Sequence, residues 1–290
     1  MHSLKNMLRA AVLAVIACSV LAAAKPAVQQ VGPGLYAYIS DNDASANSTF
    51  LIGRTGVLVV DTGLNAGEGM KLLSAIRQVS PLPVKFIINT HYHPDHQGGN
   101  AVVGQGAVVI TTDFTRDRTL ALMQNPEMKG SQFRPADVTF QKQITVHFDP
   151  YSVEVYFPGK AHTSGDALVY FPEQRVLATG DLFLNRSCPA MDKGSAATWI
   201  QALDRVLQLP LAHVVPGHFE LGSKADLQRF RNYLSDLFQQ VRIMRQRGET
   251  LDQVRQNIHT EKYADFRQFS KYQATFADNA AVIYEQLQAH

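Results

Sequence analysis

Short apolar segments broken by glycine, asparagine and aspartate dominate the first part of the chain. Residues 34–40, 48–53 and 57–61 are short and rich in β-branched or aromatic side chains, a pattern typical of strands. Residues 65–79 instead repeat apolar side chains close to the helical period, and residues 84–89 form another apolar run. The pattern predicts a β-meander, a helix and a buried strand, in that order.

The alternation of strands and helices continues beyond this run. Residues 107–110 predict a strand and residues 113–124 a helix. Residues 125–143 carry several breakers and little periodicity, which predicts a loop that either borders a site or is a plain surface connection. Residues 144–148 and 153–157 alternate in polarity like the two arms of a hairpin.

Helical periodicity returns in residues 223–290. Apolar side chains recur at helical spacing over residues 227–244, and Gly248 breaks the pattern. A second helix is predicted from Thr250, which is a capping residue, and residues 274–287 predict a third. We expect these helices to pack back on the preceding domain, with a lid over a site and a dimer contact as the alternatives.

Residues 1–24 are typical of an export signal. Lys5 and Arg9 form a basic head, an apolar core follows, and a run of alanines before Lys25 offers a cleavage site. The apolar core of about 15 residues is shorter than the roughly 20 that span a bilayer, which disfavours an uncleaved anchor. Lipidation at Cys18 is a less favoured third option. We expect a periplasmic or secreted protein without stable membrane insertion after cleavage.

Cleavage also changes the charge and the cysteine count. The full chain has 27 lysines and arginines and 25 aspartates and glutamates, and the signal removes Lys5 and Arg9 but no acids. The resulting neutral chain gives no electrostatic reason to expect nucleic acid as a partner. Cys188 then stands alone, so the hydrophobic core must hold the fold together without an internal disulfide.

The strongest chemical signal directly follows the strand at residues 84–89. His91, His93, Asp95 and His96 fall close together there and are followed by two glycines. Imidazole and carboxylate are ligands that zinc prefers. Residues two apart do not share a helix face, so His91 and His93 cannot bind one ion from a regular helix. They can do so where the chain turns at the end of a strand. A polar loop that is merely rich in histidine is the alternative interpretation.

Further candidate donors occur singly at other strand ends. Asp61, Asp181 and His218 each end an apolar strand, and His162 lies in a glycine-bounded loop between strands. One such residue is more often structural than a ligand, but strand ends on one sheet edge gather in space. Asp61 is either a turn-capping residue or an acceptor that orients a ligand histidine. The other five histidines lack this context and are expected to be structural or solvated.

Taken together, these donors resemble those of the metallo-β-lactamase superfamily in order and approximate spacing. The resemblance covers roughly residues 28–222. It implies an α/β (α+β) fold, a four-layer αββα sandwich with a dinuclear metal site along one edge of its two sheets. We accordingly divide the chain into a signal peptide (1–24), a catalytic domain (25–222) and a C-terminal helical extension (223–290).

The resemblance also assigns the donors to two metal ions. The first ion would be held by His91, His93 and His162, the second by Asp95, His96 and His218, and both by a bridging Asp181. Seven nitrogen and oxygen donors are too many for one tetrahedral zinc. Two Zn²⁺ ions per chain are therefore expected, with iron and manganese as open alternatives.

The expected activity follows from these ligands. Metal binding lowers the pKa of water from 15.7 to about 7, so a bridging hydroxide can attack a carbonyl at neutral pH without a serine or cysteine nucleophile. Asp95 would orient the hydroxide and pass its proton to the leaving group, which makes Asp95 the catalytic residue. We expect an exported dinuclear zinc hydrolase that cleaves an ester, lactone, thioester or lactam bond of a small-molecule substrate.

Departures from β-lactamase patterns bear on the substrate. Asp181 stands where cysteine-containing β-lactamases have a thiolate, and Leu184 stands where they have a lysine that binds the drug's carboxylate. A bridging aspartate is similar instead to glyoxalase II and to quorum-signal lactonases. A class B β-lactamase is therefore an alternative rather than the main interpretation. Arg186 and Lys193 either bind a substrate carboxylate or are solvated surface charges.

A redox enzyme is the alternative from a different class. Persulfide dioxygenases resemble this fold but use one iron with fewer ligands. Flavodiiron proteins carry an acid where this chain has His93 and add a flavin domain. One iron per chain with oxygen uptake would indicate redox chemistry, whereas two zinc ions would indicate hydrolysis. A nuclease of the same superfamily is disfavoured by the neutral charge and the export signal.

Overall fold

The structure is a computed structural model that describes residues 28–126, 133–191 and 194–288. Two β-sheets pack face to face in it, and helices cover the outer faces. The predicted four-layer αββα sandwich is confirmed. The predicted signal peptide, at residues 1–24, and Lys193 lie outside the described residues.

The first sheet has seven strands that lie side by side in chain order. They are β1 (Val28–Gly32), β2 (Leu35–Tyr38), β3 (Ser48–Ile52), β4 (Val57–Val60), β5 (Val84–Ile88), β6 (Val108–Thr112) and β7 (Val138–Phe140). The first four strands pair antiparallel, whereas β4 to β7 run parallel. The carboxyl ends of β4, β5 and β6 therefore open onto the same edge of the sheet, where ligands bind in open α/β sheets.

The second sheet has five strands in the order β12-β11-β10-β9-β8. They are β8 (Gln143–Phe148), β9 (Tyr151–Tyr156), β10 (Leu168–Phe171), β11 (Val176–Ala178) and β12 (His213–Val215). Neighbours pair antiparallel except β11 and β12, which run parallel and so end at the same edge.

Eight α-helices complete the described part of the chain. They are α1 (Ala66–Val79), α2 (Pro94–Gln97), α3 (Asn100–Val103), α4 (Asp113–Met123), α5 (Ala196–Val206), α6 (Lys224–Gln246), α7 (Leu251–Asn257) and α8 (Phe276–Gln286). None of these helices combines the length and the apolar content that crossing a bilayer requires.

Strand β4 shows how the sequence builds the layers. Leu58 and Val60 lie in the hydrophobic cluster between the sheets, whereas Val57 and Val59 lie in the cluster that Leu72 and Ile76 of α1 cover. Successive side chains of a strand point to opposite faces, so a strand buried on both faces needs a continuous apolar run. The run at residues 57–60 meets that requirement.

The C-terminal helices form one layer with α5 over the second sheet. Trp199 of α5 and both Phe230 and Tyr233 of α6 are buried in a single cluster with side chains of β10 and β11. Thr250 caps α7 as the sequence predicts, through a capping box with Gln253. The three predicted helices therefore exist and pack back on the sheet. The domain boundary at residue 222 stays a prediction.

Some elements differ from the sequence prediction. The predicted loop at residues 125–143 is wrong at Val138–Phe140, which pairs with β6 as an edge strand. Three residues are too few to show a strand pattern. The sequence analysis also missed β1, which is short and polar, and α5, although Ser195 caps α5 and its apolar residues have helical spacing.

Replacing Trp199 with alanine should destabilise the fold strongly. Its side chain is fully buried and its Nε1 donates to the Leu182 carbonyl oxygen at 3.0 Å. We expect the free energy of unfolding, measured by urea denaturation, to fall by about 3–5 kcal/mol. Ile243→Ala is the control, because Ile243 is 43% exposed on α6 and should change stability by less than about 0.5 kcal/mol. Equal losses in the two variants would contradict this packing.

Candidate metal centre

All seven predicted metal ligands lie just beyond the ends of strands, at one edge of the sandwich. The segment after β5 carries four of them, His91 and His93 in the loop and Asp95 and His96 in the short helix α2. The β9–β10 connection carries His162. Asp181 lies in a 3-10 turn (Gly180–Leu182) directly after β11, and His218 follows β12. Because β11 and β12 are parallel neighbours, Asp181 and His218 emerge side by side. The fold thus brings together residues that are up to 127 positions apart, from 91 to 218.

Four donors form the first group. One ligand atom from each of His91, His93, His162 and Asp181 lies within 4.8 Å of all the others. His93 Nδ1 is 3.0 Å from His91 Nε2 and 3.2 Å from His162 Nε2, so three imidazole nitrogens converge on one point. This is the geometry in which three nitrogens share one ion.

Asp95, His96 and His218 form the second group, again with ligand atoms within 4.8 Å of one another. Asp95 Oδ2 is 3.1 Å from His218 Nε2 and 3.6 Å from His96 Nε2. Both groups therefore combine nitrogen and oxygen donors without sulfur, a set that suits zinc, iron and manganese.

Asp181 lies between the two groups, with one oxygen directed to each. Its Oδ2 is 3.5 Å from His162 Nε2 in the first group. Its Oδ1 is 3.2 Å from His96 Nε2 and 3.6 Å from His218 Nε2 in the second. A side chain at Gly217 would collide with this oxygen, so glycine at that position leaves room for the carboxylate. The arrangement suits a carboxylate that bridges two ions.

Buried polar atoms without a hydrogen-bond partner indicate that the space between the donor groups suits a cation. Within the described residues, His96 Nε2 and Asp181 Oδ1 are buried and have no hydrogen-bond partner, although they face each other. Buried polar atoms in native proteins are nearly always satisfied, and exceptions mark sites of ions or water. The His and Asp cluster therefore fits a dinuclear metal site.

The electrostatics of two histidines agree with this fit. Burial, together with the neighbouring imidazoles of His96 and His93, lowers the pKa of His91 well below its usual value. His91 is thus neutral, the form that binds metal. Burial also opposes a charge on His96, but the carboxylates of Asp181, Asp61 and Asp95 outweigh it and raise the pKa of His96 well above its usual value. This end of the site favours positive charge.

Asp61 orients His96. Its Oδ2 accepts hydrogen bonds from His96 Nδ1 at 2.8 Å and Thr90 Oγ1 at 2.7 Å, and its Oδ1 accepts from the Thr90 backbone N–H at 2.8 Å. Since a carboxylate can only accept, Nδ1 carries the proton and Nε2 is left to bind a metal. The structure supports the second interpretation of Asp61, as an acceptor for a ligand histidine. Asp61 also has a left-handed backbone with a φ of 56°, which is uncommon outside glycine.

Sequence reasoning missed the partners of two other ligand histidines. His162 Nδ1 lies 2.8 Å from the Ala190 carbonyl oxygen, and His91 Nδ1 lies 3.1 Å from Thr90 Oγ1. The position of Thr90 directly before His91 was the available signal. A backbone carbonyl, in contrast, leaves no signal in the sequence.

The described residues that were considered for binding a substrate carboxylate, Leu184 and Arg186, belong to neither donor group. Leu184 is buried in the cluster under α5. Arg186 is exposed. The hydrogen bond from Arg229 lowers the pKa of Asp265, and the nearby charge of Arg186 contributes to that shift. Arg186 therefore lies near an acid of the C-terminal segment.

Asp61→Asn should weaken the binding of one metal ion. The carboxylate accepts through both oxygens, whereas an amide has one acceptor oxygen and an NH₂ group that would face a donor of His96 or Thr90. The His96 ring therefore loses its fixed orientation. Loss of such partners typically costs 10–100-fold in metal affinity, and we expect about that loss for one of two zinc ions. A zinc titration against a coloured chelator measures it.

Asp137→Asn is the matched control. Asp137 also accepts from a backbone N–H, that of Val109 at 2.8 Å, and from Arg134 at 2.9 Å. It belongs to neither donor group. Equal zinc affinities in Asp61→Asn and the unaltered protein would contradict the role of Asp61.

Comparisons with known proteins agree with this fold. One structure of 26% sequence identity, a metallo-beta-lactamase from Pontibacter korlensis, matches with a TM-score of 0.62 over 72% of this chain and 98% of its own. A stereoselective inverting sec-alkylsulfatase from Pseudomonas sp. matches with a TM-score of 0.73 at 16% identity, over 89% of this chain and 50% of its own. The second likeness concerns the fold alone.

A relative is also found by sequence. The alpha subunit of a 2,4-dinitroanisole O-demethylase from Nocardioides sp. (strain JS1661) is 31% identical over 170 residues, which are 58% of this chain and 50% of the relative. The chain thus matches about half the length of that protein. The family model of the metallo-beta-lactamase superfamily matches residues 41–218, which hold all seven donors. The chain belongs to the metallo-beta-lactamase superfamily.

Proposed function

We propose that the chain is an exported, dinuclear zinc hydrolase that acts on a small molecule in the periplasm or outside the cell. The observation that carries the proposal is the position of Asp181, with one oxygen directed to each donor group at 3.2–3.6 Å. A site for one ion would need no carboxylate between two groups. The neutral charge of the mature chain supports a small molecule rather than nucleic acid as the partner.

Bound zinc ions would polarise the scissile bond and acidify water, so the protein itself needs no nucleophilic serine or cysteine. His91, His93 and His162 would hold one ion, Asp95, His96 and His218 the other, and Asp181 both. The protein's own contribution is to orient the reacting water and to move its proton.

Asp95 is suited to that contribution. Its side chain is 23% exposed, compared with 10% for Asp181 and 0% for His96, so it faces the opening of the site. Its Oδ2 lies 3.1 Å from His218 Nε2, and a general base must lie within hydrogen-bond reach of the proton that it accepts. Asp95 would accept the proton of the attacking water and deliver it to the departing oxygen, sulfur or nitrogen.

The substrate bond is proposed as an ester, lactone, thioester or lactam. Asp181 in place of a thiolate and buried Leu184 support a general hydrolase over a class B β-lactamase. The relative named as an O-demethylase brings in aryl ethers as a further candidate class of substrate. The persulfide-dioxygenase alternative would require one iron and oxygen consumption.

A substrate screen of the zinc-loaded mature protein tests this proposal. It should contain an aryl ester, an acyl-homoserine lactone, a glutathione thioester, a cephalosporin, an alkyl sulfate and 2,4-dinitroanisole. We expect turnover of at least one of the first three. Oxygen uptake with a persulfide by protein that carries one iron per chain, with no hydrolysis of any compound, would contradict the proposal.

Asp95→Ala should abolish the hydrolysis found in that screen while the protein stays folded. Positioned proton transfer contributes about 10²–10⁴-fold to a rate, and we expect kcat to fall at least that much. Asp117→Ala, which removes an exposed carboxylate from α4, is the control and should leave kcat unchanged. Turnover by Asp95→Ala at the normal rate would contradict the role of Asp95.

A further inference from the structure

The ligand histidines differ in what holds their rings. His96 and His162 each have a short contact from Nδ1 to a carboxylate or carbonyl oxygen, and His91 has one to a threonine hydroxyl. Such contacts fix the ring of a metal ligand. His218 Nδ1, in contrast, is buried and has no hydrogen-bond partner among the described residues. Its orientation must come from its own loop and from the groups packed on it.

The loop that carries His218 needs support, because its backbone is unusual. Phe219, the next residue, has a left-handed backbone with a φ of 70°. This conformation is unfavourable for a bulky residue and persists only where the surroundings impose it. Asn47 supplies part of that support, since its Nδ2 donates to the carbonyl oxygens of Pro216 at 3.1 Å and Phe219 at 2.8 Å.

Further support comes from the C-terminal segment, outside residues 41–218 that match the family model. The guanidinium of Arg267 lies 4.5 Å from the centre of the Phe219 ring. Its Nη2 donates to both carboxylate oxygens of Glu220, at 2.9 and 3.1 Å. Arg267 therefore binds the two residues that directly follow His218.

Arg267 is itself firmly held. Its backbone N–H donates to the Arg186 carbonyl oxygen at 2.9 Å, and its carbonyl oxygen accepts from the Cys188 N–H at 2.9 Å. Its Nη1 also donates to the Asn185 carbonyl oxygen at 3.3 Å. This anchorage makes the guanidinium a rigid contact for the His218 loop.

An aromatic contact acts on the same ring. Phe269 stacks on Phe219 with ring centres 5.7 Å apart and planes at 5°. Phe219 in turn lies 6.0 Å from the His218 imidazole. A chain of packed side chains thus runs from the C-terminal segment to a metal ligand.

We propose that Arg267 is a positioning residue for the second metal ion, acting through Phe219 and Glu220 on the orientation of His218. This role rests on the proposed dinuclear centre. It makes the C-terminal segment part of the machinery that sets the affinity of one ion, in addition to its part in the core. Phe269 has the same role with a smaller effect, because it contacts the ring of Phe219 but not Glu220.

The chain offers a matched control in Arg229. Its guanidinium pairs with both oxygens of Asp265 at 2.6 and 2.7 Å and lies 5.1 Å from the Phe266 ring. Its side chain is 37% exposed, against 38% for Arg267. Arg229 therefore makes the same kinds of interaction as Arg267, but its partners are Asp265 and Phe266 instead of the residues that follow His218.

The test is a zinc titration of the full mature protein and its variants against a coloured chelator. In Arg267→Met, we expect one ion to bind about 10–100-fold more weakly and the other to keep its affinity within about twofold. His218→Ala identifies the affected ion, because it removes a donor of that site. Arg229→Met should bind both ions normally, and Arg267→Lys should recover most of the loss because it keeps the charge beside Glu220 and Phe219.

Several outcomes would overturn the proposal. Normal affinity for both ions in Arg267→Met would overturn it. An equal loss of affinity in Arg267→Met and Arg229→Met, for both ions, would also overturn it. If Arg267→Met does not fold, normal affinity in Phe269→Leu would overturn it. A wild-type protein that binds only one ion would instead overturn the dinuclear centre itself.

Discussion

Burial of negative charge at one edge of the sandwich is the constraint on which the rest of the site depends. Asp61 and Asp181 are nearly fully buried, and Asp95 lies beside them. A buried carboxylate costs several kcal/mol unless it is paired and hydrogen-bonded. Thr90 and His96 satisfy Asp61, but one oxygen of Asp181 has no hydrogen-bond partner among the described residues. Cations between the two groups would compensate that charge.

The two sheets create this edge by ending their strands there. Parallel pairing of β4, β5 and β6 directs the loop after β5 to the edge, and parallel pairing of β11 and β12 directs Asp181 and His218 to it from the other sheet. The helices on the outer faces keep the sheets packed, and the C-terminal segment also contacts the loop of His218. Stability and metal binding are therefore coupled, because a ligand that binds only the folded state stabilises it.

Much of the site could be predicted because its donors leave local signals. The donors at residues 91–96 are close together in sequence, and Asp181 and His218 each come three residues after the last residue of a short strand. The strands and helices of the four layers could be predicted from the spacing of apolar residues. Elements such as β1 and β7 are exceptions, because they are too short or too polar to show that spacing. What could not be predicted depends on contacts between distant residues. Asn47 lies 169 positions from Pro216, and Arg267 acts on Glu220 without any shared pattern.

The metal content of the natively expressed protein, compared with that of Asp181→Ala, tests the central claim most directly. Asp181 is the donor with an oxygen directed to each group, so without it the site should no longer hold two ions at once. We expect two ions per chain in the unaltered protein and about one in the variant. One ion in the unaltered protein, or two tightly held ions in Asp181→Ala, would contradict the account.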